Sequence, residues 1–115
     1  ALVAHARLVV CNDTGISHMA AAMCTPSTVI ASGSDTRRWA PLDHERHHVL
    51  ADYPPCRPCA FRECPYDHAC AHNVSVESVV SEALAQLAHR SRTHPGAPGV
   101  LHARGTPVRE ERHAN

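Results

Sequence analysis

Apolar and polar positions alternate along the first half of the chain in short blocks. Leu8 to Cys11 is an apolar run that reads as a short buried strand. Asn12, Asp13, Thr14 and Gly15 follow as a tight polar turn. Ile16, Met19, Ala20 and Met23 then recur at the i, i+3, i+4, i+7 spacing of one buried helical stripe. Asp13 or Thr14 is the expected N-cap, and Pro26 closes the segment. Ser27 to Ala31 reads as a second buried strand, and strand, helix, strand in about 25 residues is a right-handed parallel crossover. A polar loop over 32–46 leads to a third predicted strand, His47 to Ala51. Residues 52–73 are irregular and rich in Cys, Pro and His. Ser75 caps a helix to about His89, with Val79, Val80, Ala83, Leu84 and Leu87 on one face. From Ser91 onward Pro, Gly, His and Arg occur without period, which predicts a disordered tail.

This order of elements concentrates chemistry at one end of the sheet. Strand, polar turn and helix start together aim backbone N–H groups and a positive dipole end at an anion. Thr14 and His18 are four apart and share a face near the helix start, away from the apolar stripe. A hydroxyl, an imidazole and the Gly15 amide could converge there on a phosphate. Ordinary capping with a surface histidine is the plainer reading. Ligands of open α/β sheets bind outside the carboxyl ends of the strands, where the 12–15 turn and the 32–39 loop both fall. In that loop Arg37 and Arg38 could pair with phosphates and Trp39 could line a cleft, beside Asp35. The simpler alternative is two solvated arginines and an anchoring Trp.

Composition narrows the classes of function. Leu, Ile, Val and Phe total 21 of 115 residues, a thin core for one domain, explained if the chain is part of something larger. Residue 1 is Ala rather than Met, and 1–6 reads as the tail of a helix already under way. Basic and acidic residues balance at 11 each beside 11 histidines, so neither a nucleic-acid footprint nor a polybasic membrane patch is present. Every basic residue is arginine, which excludes a Schiff-base or Walker-type lysine within this sequence. No apolar run approaches the roughly 18 residues of a transmembrane helix, and no signal peptide is present.

The cysteines follow the pattern Cys56-x2-Cys59-x4-Cys64-x5-Cys70, with His68 and His72 nearby. Four thiols opening on Cys-x2-Cys suit a structural zinc, and an iron–sulfur cluster is the softer alternative. His68 or His72 could replace Cys70. Disulfides or four unligated thiols are the competing readings. Cys11 and Cys24 are expected to be small core residues within the strand and helix. Asn73-Val74-Ser75 is formally a glycosylation sequon and is taken as coincidence.

Three segments in order carry a family resemblance. Asn-Asp-Thr-Gly-Ile-Ser-His-Met-Ala-Ala-Ala-Met (12–23) with Thr25-Pro26 resembles the donor-site motif of glycosyltransferase family 9, the ADP-heptose:lipopolysaccharide heptosyltransferases and their relatives. Gly-Ser-Asp-Thr-Arg-Arg-Trp-Ala-Pro-Leu (33–42) is similar to the family's next loop, and Cys56-Arg-Pro-Cys59, Cys64-Pro and Cys70 resemble a cysteine-rich segment of many members. Thr36 stands where proline is common and Cys11 where glycine is common. The likeness runs from about Ala1 to Ala88. It implies an α/β fold: a partial, Rossmann-like unit from the C-terminal, donor-binding domain of a GT-B enzyme, with parallel strands, a cysteine-rich loop and a C-terminal helix. On that reading residues 1–89 belong to the domain, 52–73 are a cysteine-rich insertion, and 90–115 are tail.

The resemblance also implies an inverting, metal-independent transfer of a heptose or related sugar. Its donor is a nucleotide sugar such as ADP-heptose, and its acceptor a lipopolysaccharide core or similar glycan. Thr14 and Gly15 would meet the diphosphate, with Asp13 and His18 at the sugar or phosphate. The transfer needs no cofactor; zinc, if bound, is structural. The catalytic base would lie in an N-terminal domain absent here, so this chain alone should be inactive. The expected location is the cytoplasm, at most peripheral at the inner membrane, with no nucleic-acid partner. The rival from another class is a small cysteine-rich metal-binding interaction module without catalytic activity.

Overall fold

A computed structural model describes residues 1–93. The elements run α1 (Leu2–His5), β1 (Val9–Asn12), α2 (Gly15–Ala22), β2 (Ser27–Ala31), α3 (Thr36–Trp39), β3 (His47–Ala51), α4 (Ala69–His72) and α5 (Val76–Thr93). The three strands form an all-parallel sheet in the order β1-β2-β3. Val9 pairs with Ser27 and Ser27 with His47, so all three strands start level and their carboxyl ends open on the same side. This is the α/β, Rossmann-like arrangement expected, and the second and third strands have the expected bounds. No helix among the described residues is long and apolar enough to cross a membrane.

The core is small and unusually polar. Ala20, Val29 and Ala31 are its buried apolar residues, while Ser17, Ser27, Thr28, His47 and Gln86 are buried beside them. A core of this kind holds together only if each polar group finds a partner. Thr28 donates its hydroxyl to Gln86 Oε1 at 2.8 Å, and Gln86 Nε2 donates to the carbonyl of Arg46 at 2.8 Å and of Ser27 at 3.3 Å. Ser27 Oγ and His47 Nδ1 share a hydrogen bond of 2.8 Å across β2 and β3. Burial holds the His47 imidazole below its ordinary pKa. His48 and Glu82 form a close hydrogen-bonded pair that ties β3 to α5.

Two helical faces differ from those read off the spacing. In α2 the buried residues are Ser17 and Ala20, whereas Ile16, Met19 and Met23 are each more than two-fifths exposed. Small residues let the helix approach β1 and β2 closely, and the larger side chains point elsewhere. In α5, Gln86 is the buried residue, while Val80 and Leu84 are exposed. Ser75 does cap this helix, accepting from the Ser78 N–H at 3.1 Å. The helix continues past His89 to Thr93, so 90–93 belong to it and not to a tail; residues 94–115 lie outside the described residues. The 32–46 stretch contains the single turn α3, and the cysteine-rich stretch contains α4.

The end of α2 explains Cys24, which is exposed and lies outside the helix, not within a core. Met23 is the C-cap, Cys24 takes the left-handed conformation at φ 55°, and Thr25 turns back. The Thr25 N–H bonds the Ala20 carbonyl at 2.9 Å and the Cys24 N–H bonds the Ala21 carbonyl at 3.1 Å, a Schellman closure. Thr25 then donates its hydroxyl to the Val3 carbonyl at 2.9 Å, fastening α1 to the same corner.

Candidate functional site

The turns after β1 and β2 lie side by side at the carboxyl end of the sheet. The Asp13 N–H extends the β1–β2 ladder by donating to the Ile30 carbonyl at 2.9 Å. Its carboxylate accepts the Ser34 hydroxyl at 2.6 Å, joining the two turns. Asp13 is thus anchored to the second turn and caps nothing. Thr14 is the N-cap of α2 by position, but its side chain takes up none of the helix amides. Ser17 instead folds back, donating both N–H (3.0 Å) and Oγ–H (2.7 Å) to the Thr14 carbonyl.

The start of α2 therefore keeps first-turn N–H groups uncapped, at the positive end of the helix dipole. A methyl group built on Gly15 would meet nothing within 4 Å, so the space in front of this turn is open. Thr14 and His18 are both exposed there, one helical turn apart. Just behind, burial and then the Asp13 charge raise the pKa of the Cys11 thiol, which disfavours its thiolate. The chemistry on offer is anion binding by amides, a hydroxyl and an imidazole.

The 35–39 residues divide their work. Asp35 caps α3 by accepting from the Arg37 N–H at 3.1 Å, and it pairs with Arg37 Nε at 3.3 Å. That hydrogen bond from Arg37 lowers the Asp35 pKa. Arg38 stacks over Trp39, its guanidinium carbon 5.3 Å from the ring centroid, and both are exposed. Tyr53 reaches α3 from beyond β3: its hydroxyl accepts from the Thr36 N–H at 3.0 Å and is hydrogen-bonded to Thr36 Oγ1. The bond to the Thr36 side chain lowers the Tyr53 pKa. Arg37 also borders an open cavity of about 770 Å³ along β3, with His44, His48 and Glu82.

The cysteine segment does not assemble as its spacing suggests. Among the described residues no three His, Cys, Asp or Glu side chains stand together as a metal-ligand set, and all six cysteines are free thiols. Cys59 Sγ faces the Phe61 carbonyl at 4.0 Å, while Cys64 Sγ accepts the His68 N–H at 3.3 Å. Cys56, Cys59, Cys64 and Cys70 are thus not brought together, and the donors present do not fit a bound zinc in this arrangement. Backbone and arginine contacts order the segment instead. The Cys59 N–H donates to the Gly33 carbonyl at 2.8 Å, and Arg57 binds the Ser34 and Asp52 carbonyls.

Comparison with protein families resolves what these turns belong to. The family model described as glycosyltransferase family 9 (heptosyltransferase) matches residues 1–70. The chain belongs to glycosyltransferase family 9. The match takes in all three strands, both turns and the cysteine segment through Cys70, and leaves α5 outside. Comparison with curated proteins and with solved structures gives no significant match. A glycosyltransferase function follows from the family, and with it, in general terms, a nucleotide-sugar donor and a glycan acceptor. Two residues that hold these turns escape a reading by motif. Ser34 lies inside the 33–42 motif without an obvious role, and Arg57 is hidden between Cys56 and Pro58.

Proposed function

We propose that residues 12–18 hold the diphosphate of a nucleotide-sugar donor. The observation that carries this is the uncapped start of α2 facing open space at Gly15, beside the exposed Thr14 and His18. Glycosyl transfer expels a nucleoside diphosphate, so negative charge grows on the leaving group. Amide N–H groups and a hydroxyl already aimed at that charge stabilise it without reorganising, and His18 adds an imidazole donor. Thr14 and Gly15 take the diphosphate, while Asp13, held by Ser34, and His18 serve the sugar or phosphate. The Asp35–Trp39 turn forms the flank of the same cleft through the Ser34–Asp13 link.

On this reading the sugar is a heptose or a close relative, the donor is ADP-heptose-like, and the acceptor is a lipopolysaccharide core or similar glycan. The transfer is inverting and runs without a metal, because the leaving charge is met by protein donors. An inverting step needs a carboxylate to take the acceptor's proton. Asp13 is unsuited, being engaged by Ser34 on the donor side, so the base belongs to the N-terminal domain that GT-B architecture supplies. Nucleotide sugars place the reaction in the cytoplasm, with peripheral contact to the inner membrane where the acceptor resides. The test is His18→Ala in the complete enzyme. It should weaken donor affinity or turnover by about 1–3 kcal/mol, the scale of one hydrogen bond to developing charge. Unchanged steady-state constants would remove His18 from the site.

A further inference from the structure

One side chain of the cysteine segment reaches the turn that holds Asp13. Arg57 is 8% exposed. Its Nε donates to the Ser34 carbonyl at 2.8 Å, and its Nη1 donates to the Asp52 carbonyl. Its guanidinium carbon sits 4.3 Å from the centroid of the Tyr53 ring. The remaining nitrogen, Nη2, is buried without a hydrogen-bond partner among the described residues. Burying a guanidinium with one arm unspent is costly, and a chain that needed only a packed loop would satisfy Ser34 and Asp52 more cheaply. The cost makes sense if the other arms fix something that function needs.

What they fix is the 33–36 stretch. Gly33 has φ 76°, a conformation that a side chain disfavours, and its carbonyl accepts the Cys59 N–H at 2.8 Å. Arg57 binds the next carbonyl, that of Ser34, whose hydroxyl holds Asp13 at 2.6 Å. Tyr53, stacked on Arg57, meets Thr36 at the start of α3. Both carbonyls of the Gly33–Ser34 turn and the amide of Thr36 are thus held from the segment that follows β3.

We propose that Arg57 is the positioning residue of the donor turn, setting Ser34 and through it Asp13, so that the cysteine segment works as a brace for nucleotide binding. This rests on the reading of 12–18 as the diphosphate site. Arg57 touches no donor itself; it determines where the Asp13 carboxylate stands.

The test is titration with ADP, GDP and UDP, followed by the backbone amide resonances of 12–18, for the wild type, Arg57→Met, Ser34→Ala and the double variant. Each single variant should weaken the tightest nucleotide about tenfold, one charge-assisted hydrogen bond's worth. The double variant should be no weaker than the worse single one, because both act through one link, whereas independent structural damage would multiply. Wild-type affinity in folded Arg57→Met, or multiplied losses in the double variant, would overturn the proposal. Should Arg57→Met not fold, Ser34→Ala decides: a tenfold loss supports the link and wild-type affinity ends it. A wild type that binds none of the three nucleotides at 12–18 fails earlier, at the donor reading itself.

Discussion

The Ser34 hydroxyl donates to the Asp13 carboxylate at 2.6 Å, joining the turn after β1 to the turn after β2. Each turn belongs to a different strand end. Joined, they make one surface in front of α2. Ser34→Ala should leave the fold intact and lower thermal stability by about 1 kcal/mol, since the bond is partly exposed and charge-assisted. A variant indistinguishable from wild type in chemical denaturation would show that the link contributes nothing.

Gln86 is the clearest case of a residue whose weight depends on its partners. It takes the Thr28 hydroxyl and gives its amide to two carbonyls at the amino ends of β2 and β3. Gln86→Leu should cost about 2 kcal/mol, because the buried Thr28 hydroxyl loses its acceptor, while the Arg46 carbonyl keeps the Ser27 N–H. Adding Thr28→Val should recover part of that loss, since removing both partners of a buried bond is milder than removing one. Denaturant midpoints for the two single variants and the pair give the coupling directly; additive losses would contradict it.

Much of this fold is legible from the strands. Ser27–Ala31 is a short run buried at the centre of a parallel sheet and His47–Ala51 a half-buried one beside it, and the bounds of both follow from pattern alone. The helices are less legible because their large apolar residues are not the ones that pack. Ile16, Met19 and Met23 form a regular stripe in the sequence, yet α2 seats itself through Ser17 and Ala20. Periodicity registers hydrophobicity, and a small polar residue such as Ser17 carries none. The Asp13-Thr14-Gly15 turn and His18 are found by motif, whereas Ser34 and Arg57 act through contacts 21 and 23 residues away in sequence. No local spacing encodes such pairs. The cysteines show the converse: Cys56-x2-Cys59 opens a ligand pattern, yet among the described residues no three such side chains gather into a metal-ligand set.

The thiols offer a direct check on that last point. Protein purified without chelator should carry less than about a tenth of an equivalent of zinc or iron, the level of adventitious binding. Its cysteines should titrate freely under denaturing conditions, and a chelator should leave its melting temperature unchanged. One equivalent of zinc with four protected thiols would contradict the observed arrangement and restore Cys56, Cys59, Cys64 and Cys70 as ligands.

Cys24 predicts a gain. It occupies the left-handed position of a helix closure at φ 55° and its side chain is exposed. Cys24→Gly should raise stability by roughly 1 kcal/mol, the strain of a side chain in that conformation, with little packing to lose. A destabilised variant would mean that the thiol makes contacts worth more than the strain.

His47 predicts a pH dependence. Burial lowers its pKa below the ordinary 6.5, so the unfolded chain binds its proton first as pH falls. Stability from this group is complete above 6.5 and declines as pH drops from that value toward the lower, folded pKa. His47→Asn, which keeps a partner for Ser27 but does not titrate, should flatten that part of the stability profile. An equal slope in wild type and variant between pH about 6.5 and 5 would assign the loss to other groups.

The central claim is that the uncapped start of α2 binds the donor's diphosphate. Backbone and imidazole chemical shifts, followed while the chain is titrated in parallel with ADP, GDP, UDP and the matching free nucleosides, test it most directly. The account predicts saturable shifts at Thr14, Gly15, Ile16 and His18 with at least one nucleoside diphosphate, and none of that pattern with its nucleoside. Shifts that avoid 12–18 for all three diphosphates, or that gather instead in the cavity along β3 at His44, His48 and Glu82, would contradict it.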